Sequence, residues 1–260
     1  MGKHLAVVTG GSSGIGAALI QQLLLNGPVL NVSRRNLKIN ESSYPHPLHQ
    51  LSVDLAEPER ASGRLQSWLA AHPELTVNLF FSSAAQLNID ALRSGSVSDF
   101  ERTFRINAWA PITLTEKCLH DKNFLSEGAR FIFLTSSLAR NDTALSFARL
   151  GLYSASKAAL ERLVQVQRRE ALLAGKCIAS TVVHPGIVDS AMQETLRGDV
   201  ACDPAFQEKT RLLPPYRPGD WEDVAPSDAP RTISAQQSAE FLTWIAALER
   251  NQLRDYYDYY

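Results

Sequence analysis

Short apolar runs punctuate the chain at His4–Thr9, Pro28–Ser33, Leu48–Val53, Thr76–Ser82, Ala129–Ser136 and Cys177–Val183. Most are nearly continuous in Val, Ile, Leu and Phe, as strands buried on both faces should be. Between them lie longer segments of helical character: Ile15–Leu25, Glu57–Ala71, Val97–Leu119 and Tyr153–Ala174. Strand and helix alternate to about residue 190. This predicts an α/β fold, a doubly wound parallel sheet with helices on both faces.

The pattern then breaks. Six prolines fall within 198–230, mixed with Asp and Glu. A disordered linker and an irregular flap over a site both fit that composition. Structure resumes beyond it, which favours the flap. Ser234–Arg250 reads as a helix with Phe241, Leu242, Ile245 and Leu248 on one stripe. A last short element, Leu253–Tyr260, carries four tyrosines. No repeat or heptad is visible, so residues 1–260 read as one domain.

Composition narrows the class. The 260 residues hold 26 basic and 27 acidic side chains, for a net charge of −1. That balance gives no electrostatic case for nucleic-acid or membrane-surface partners. Apolar content of 45% with so little net charge excludes intrinsic disorder. Cys118, Cys177 and Cys202 are too scattered for a disulfide framework or paired zinc spacing. His46 and His49, beside Pro45 and Pro47, read as loop histidines, so no metal is expected. No apolar run reaches the ~20 residues of a membrane span, nor is there a signal-peptide core. A soluble, reduced, cytoplasmic protein is expected.

Thr9-Gly10-Gly11-Ser12-Ser13-Gly14-Ile15-Gly16 lies between the first strand and the first helix. Gly10 suits a tight turn, Gly14 a close backbone approach to a pyrophosphate, and Gly16 close helix–strand packing. The positive helix end near Ile15 would face the phosphates. In this position a glycine-rich turn points to a Rossmann-type dinucleotide site. An acid at the end of the second strand would grip a ribose 2′-hydroxyl. Ser33-Arg34-Arg35 stands there instead and suits a 2′-phosphate, which favours NADP(H) over NAD(H). The competing reading is a solvated pair of arginines.

Tyr153 and Lys157, four residues apart, share a helix face. They follow a strand ending in Thr135, Ser136 and Ser137, and ligands of open α/β sheets bind at such ends. A free phenol titrates near 10, and a nearby ammonium would lower that value. A serine hydroxyl can hydrogen-bond a carbonyl oxygen.

Together these residues resemble the classical short-chain dehydrogenase/reductase family over nearly the whole chain. Thr9–Gly16 matches its glycine motif, Asp54-Leu55 its adenine-binding Asp, Asn107 its helix asparagine, and Tyr153 with Lys157 its catalytic pair. Pro185-Gly186-Ile187-Val188-Asp189-Ser190 matches its P-G-x-x-x-T, with serine for threonine. The resemblance implies Tyr153 as acid/base, Lys157 on the nicotinamide ribose, Ser137 on the substrate carbonyl and Asn107 on a water relay. It also implies Pro185, Gly186, Val188 and Ser190 along the nicotinamide, with Ser83 and Ala84 beside the cofactor.

Two departures stand out. The family's N-N-A-G is Ser82-Ser83-Ala84-Ala85 here. Ser137 also stands farther from the tyrosine than the family's serine does, which leaves Ser136 open as the alternative. Residues 183–193 and Asp255-Tyr256-Tyr257-Asp258 resemble the sepiapterin reductase-like carbonyl reductases, which implies Asp255 as a substrate anchor. The expected activity is NADPH-dependent reduction of a small-molecule ketone or diketone by a homodimer or homotetramer. A 3-oxoacyl or alcohol dehydrogenase, or a silent NADP-binding regulator, are the alternatives.

Overall fold

The computed structural model describes residues 3–176, 178–199, 201–211 and 232–260. In chain order it runs β1 (Lys3–Thr9), α1 (Gly14–Leu23), β2 (Val29–Ser33), β3 (Leu48–Ser52), α2 (Pro58–Ala70), β4 (Leu75–Ser82) and α3 (Val97–Phe104). There follow α4 (Ala110–His120), β5 (Leu125–Leu134), α5 (Gly151–Leu173), β6 (Ala179–His184), β7 (Ile187–Val188) and α6 (Ala191–Gly198). The chain closes with α7 (Pro204–Arg211), β8 (Thr232–Ile233), α8 (Ala235–Ala247) and β9 (Tyr256–Asp258).

Seven strands form one sheet in the order β3-β2-β1-β4-β5-β6-β9. Every neighbouring pair is parallel. Strand order reverses beside β1, with β2 and β3 on one side and β4 on the other. Ligands of such sheets bind at that switch, outside the strands' C-terminal ends. A separate two-stranded pair joins β7 to β8.

The unbroken apolar runs have a direct cause. Along β1, Leu5 and Val7 belong to one core layer while Ala6 and Val8 belong to the other. Phe80 and Phe81 of β4 divide in the same way. One layer packs α2, α4 and α5 against the sheet, and the other packs α1 and α8. Phe80, Phe81, Phe131 and Phe133 are fully buried, each worth about 1.5–3 kcal/mol in apolar burial.

Between β2 and β3, where the sequence offered no helical segment, there is only a 3₁₀ turn at Glu41–Ser43. Two features differ from the sequence reading. The expected helix over Val97–Leu119 is three pieces, because a π-helical turn at Arg105–Trp109 separates α3 from α4. The proline-rich stretch contains a helix: α7 lies within it, and Cys202 and Phe206 are buried against Leu150 and Leu196. Residues 212–230 of the expected flap, with Cys177, lie outside the described residues. No helix among the described residues is long and apolar enough to cross a membrane.

Candidate active site

The switch in strand order opens a cavity of about 350 Å³. It is lined by Gly10, Ser12, Ser13, Gly14 and Ile15 of the glycine turn, with Ser33, Arg34 and Arg35 from the end of β2 and the loop after it, and Asp54 and Leu55 from the loop after β3. Ser83, Ala84, Pro185 and Ser190 line it too, together with Tyr153 and Lys157 of α5.

The glycine turn is shaped by sterics. Gly10 has φ +70°, and a Cβ there would lie 2.6 Å from Ala84 Cα. A Cβ on Gly16 would lie 2.6 Å from the Gly10 carbonyl oxygen, so this residue does set helix-to-strand distance. Gly14, at φ +55°, meets nothing within 4 Å. Ser13 is extended and makes no side-chain cap to α1, and no acid stands in its first turn. By contrast Ser190 and Ser234 cap α6 and α8. The first amides of α1 are thus left to the cavity, an arrangement suited to a diphosphate.

Beside it, the loop after β2 is held by a polar network. Gln50 Nε2 donates to Leu37 O at 2.7 Å, and Gln50 Oε1 accepts from Leu37 N at 3.1 Å and from Asn31 Nδ2 at 2.8 Å. The Ser33 hydroxyl donates inward, to Arg35 O at 2.7 Å and Asn31 Oδ1 at 3.0 Å. Ser33 therefore shapes this loop, and its proton is not turned to a ligand. Arg34 and Arg35 are exposed. Neither guanidinium is in an ion pair among the described residues, so both are available to a 2′-phosphate. Asp54 is partly engaged: Oδ1 accepts from Ala56 N at 2.9 Å, and Oδ2 lies 3.5 Å from Arg102.

After β5, Ser136 is extended and caps a 3₁₀ turn at Ser137–Ala139, its Oγ accepting from Leu138 N at 3.2 Å. Its side chain also acts on the Tyr153 phenol and favours the phenolate. Ser137 lies one step on, inside the turn. Neither serine lines the cavity, whose nearest lining residue on this segment is Thr135, and of the two only Ser136 acts on the Tyr153 phenol. Burial pushes the Tyr153 phenol up to about 12, and the Ser136 side chain opposes this. The Lys157 ammonium donates to Leu134 O at 2.8 Å. Burial lowers its pKa to about 8, against the nearby charge of Glu161. Desolvation dominates at the phenol, and Lys157 is not among the groups that shift it. Glu161 accepts from Thr135 Oγ1 at 2.5 Å.

Asn107 sits in the π-helical turn, fully buried. Its Oδ1 accepts from Gln86 N at 2.7 Å, and its Nδ2 donates to Gln86 O at 2.8 Å and to Ser156 Oγ at 3.0 Å. It therefore fixes the loop after β4 against α5. Such one-turn π segments often mark functional positions, and no apolar periodicity reveals them. Gly186 and Val188 are not among the cavity's lining residues, and Val188 pairs with Ile233. Asp255 is not brought to the site. It stands before β9, its carboxylate is mostly exposed, and it pairs with Arg168 of α5. Among the described residues no group of three or more His, Cys, Asp or Glu side chains could hold a metal.

A family model described as short chain dehydrogenase matches residues 4–201. Dehydrogenase/reductase SDR family member 11 of Homo sapiens is 27% identical over 232 residues, 85% of each chain. An NADPH-dependent aldehyde reductase-like chloroplastic protein of Arabidopsis thaliana is 27% identical, over 86% of this chain and 85% of its own. A short chain dehydrogenase of Burkholderia cenocepacia, solved in complex with NADP, superposes with a TM-score of 0.74 at 22% identity. That likeness spans 98% of this chain and 94% of the other, and carries the fold.

Proposed function

We propose, for a chain that belongs to the short chain dehydrogenase family, that it is an NADPH-dependent carbonyl reductase acting on a ketone or diketone. The observation that carries this is one cavity lined by the glycine turn with the uncapped amides of α1, by Arg34 and Arg35, and by Tyr153 and Lys157. Arg34 and Arg35 would hold the 2′-phosphate, and the first turn of α1 the diphosphate. When bound, NADPH supplies the hydride.

The chain's own residues do the rest. Ser136 orients the substrate oxygen, and Tyr153, kept protonated by burial, gives that oxygen its proton. Lys157 holds the nicotinamide ribose and supplies positive charge beneath the phenol. Asn107 keeps the loop after β4 and the start of α5 in register. A pterin substrate held by Asp255 is not part of this reading, because that carboxylate belongs to Arg168. Exposed Trp109 and Val166 support the further proposal of a homodimer or homotetramer through the helices that carry Asn107 and Tyr153.

The test is NADPH consumption with benzil-type diketones, sepiapterin and acyl thioesters, in the parent and in Tyr153→Phe. Loss of the proton donor should lower turnover about 10²–10⁴-fold with NADPH affinity nearly intact. Turnover within about a factor of two of the parent overturns the assignment.

A further inference from the structure

The C-terminal strand reaches the same sheet end as the cavity. β9 pairs Val182 with Tyr256 and His184 with Asp258, so Asp258 stands at the C-terminal end of the edge strand. Its two carboxylate oxygens go to two different segments. Oδ1 lies 2.9 Å from His184 Nδ1, and Oδ2 pairs with Arg140. Arg140 closes the turn that begins at Ser136: Ala139 N donates to Ser136 O at 2.9 Å, and Arg140 N to Ser137 O at 3.1 Å. Arg140 also donates to Tyr256 Oη at 2.9 Å and lies over that ring at 5.1 Å. His184 is buried and leads directly into Pro185 on the cavity wall.

The last two residues extend the contact. Tyr259 N donates to His184 O at 3.2 Å, and Ile187 N donates to Tyr260 Oη at 2.9 Å. Gly186, at φ +88°, lets the chain turn against Tyr259, whose Cγ would lie 3.2 Å from a Cβ there. The carboxylate is poised for this role. Burial alone would raise its pKa, yet the His184 hydrogen bond and charge, with the Tyr260 amide and Arg140, hold it below the usual range.

We propose that Asp258 is a positioning residue, a two-armed clamp holding the Ser136 turn through Arg140 and the Pro185–Val188 wall through His184. It touches neither substrate nor cofactor. Its effect is to fix the Ser136 turn, which follows the cavity-lining Thr135, relative to Pro185 on the cavity wall. A shared carboxylate does this well, because loosening either arm leaves a partly buried charge under-compensated. Only the kinetic consequence rests on the proposed reductase activity; the structural one does not.

Hydrogen exchange of the full-length protein tests the clamp without any substrate. In Asp258→Asn, amides of 135–141 and of 184–188 should exchange about tenfold faster, with β1 and α1 unchanged. Arg140→Gln should loosen only 135–141, and His184→Asn only 184–188. In the diketone assay, Asp258→Asn should lower kcat about tenfold while KM and the NADPH Kd move less than about threefold. Protection unchanged within about twofold in both segments overturns the clamp, as does acceleration spread evenly through β1 and α1. Should the parent reduce no carbonyl, the exchange pattern still decides the clamp and only the activity reading falls. The single-arm variants decide the matter if Asp258→Asn does not fold.

Discussion

Replacing Lys157 by Met should stabilise the cofactor-free protein at neutral pH, and the gain should fade as pH rises. Lys157 is 2% exposed, and burial takes its pKa from 10.5 to about 8. At about 1.4 kcal/mol per unit, keeping the ammonium charged costs the fold about 3 kcal/mol below pH 8. Methionine fills similar space without charge. It forfeits the hydrogen bond to Leu134 O, a loss of about 1 kcal/mol. Glu161 loses a neighbour but keeps Thr135 and the nearby charge of Arg140. The net gain is about 2 kcal/mol, or roughly 4–8 °C in Tm for a chain of this size. The sign follows from proton counts. Between pH 8 and 10.5 the unfolded lysine binds more protons than the folded one, so parent stability rises with pH and the advantage of Met shrinks. Tyr153 opposes this only above pH 10, and does so in both proteins. Thermal melts of both proteins at pH 7 and pH 10 measure the difference. A variant less stable at pH 7, or a Tm gap equal at both pH values, refutes the reasoning. The buried ammonium is thus a stability cost carried by a site residue, as expected where function and stability compete.

Other outcomes follow from the same geometry. Ser136→Ala should lower kcat more than about tenfold while Ser137→Ala stays within about threefold, and steady-state kinetics giving the opposite order would reverse the serine assignment. Arg34→Ala should weaken NADPH relative to NADH by about 1.5–3 kcal/mol, read as the ratio of two dissociation constants by fluorescence titration. An unchanged ratio would place the 2′-phosphate elsewhere.

Strands β1, β2, β4, β5 and β6 were legible because at least half of their residues are buried, on both faces of the sheet, which writes a nearly continuous apolar run into the sequence. The glycine turn and the Tyr153–Lys157 pair were legible because their spacing is local. The break at Arg105–Trp109 was not, since one extra residue in a helical turn leaves the amphipathic pattern of α3 and α4 nearly intact. Nor was the inward commitment of the Ser33 hydroxyl. It depends on Asn31, whose partner Gln50 comes from the neighbouring strand, and on a register that only strand pairing fixes. What distinguishes Ser136 from Ser137 is the local backbone after β5. Ser136 keeps the extended conformation, and the turn begins with its neighbour.

The two C-terminal aspartates show how direction and register decide what composition cannot. Asp255 and Asp258 bracket the same tyrosines, and a carboxylate near a ligand could be either. β9 runs parallel to β6, with Asp258 opposite His184 and Asp255 preceding Tyr256. Three residues of strand span about 10 Å. Asp258 therefore arrives at the cavity end, where Arg140 and His184 await it. Asp255 is left toward the opposite end, and Arg168 of α5 takes it there. An antiparallel β9 would exchange the two roles. Nothing in the tail's own residues selects between these directions. The selection comes from the chain leaving α8 at the sheet's far edge and entering β9 in the sense of its neighbour.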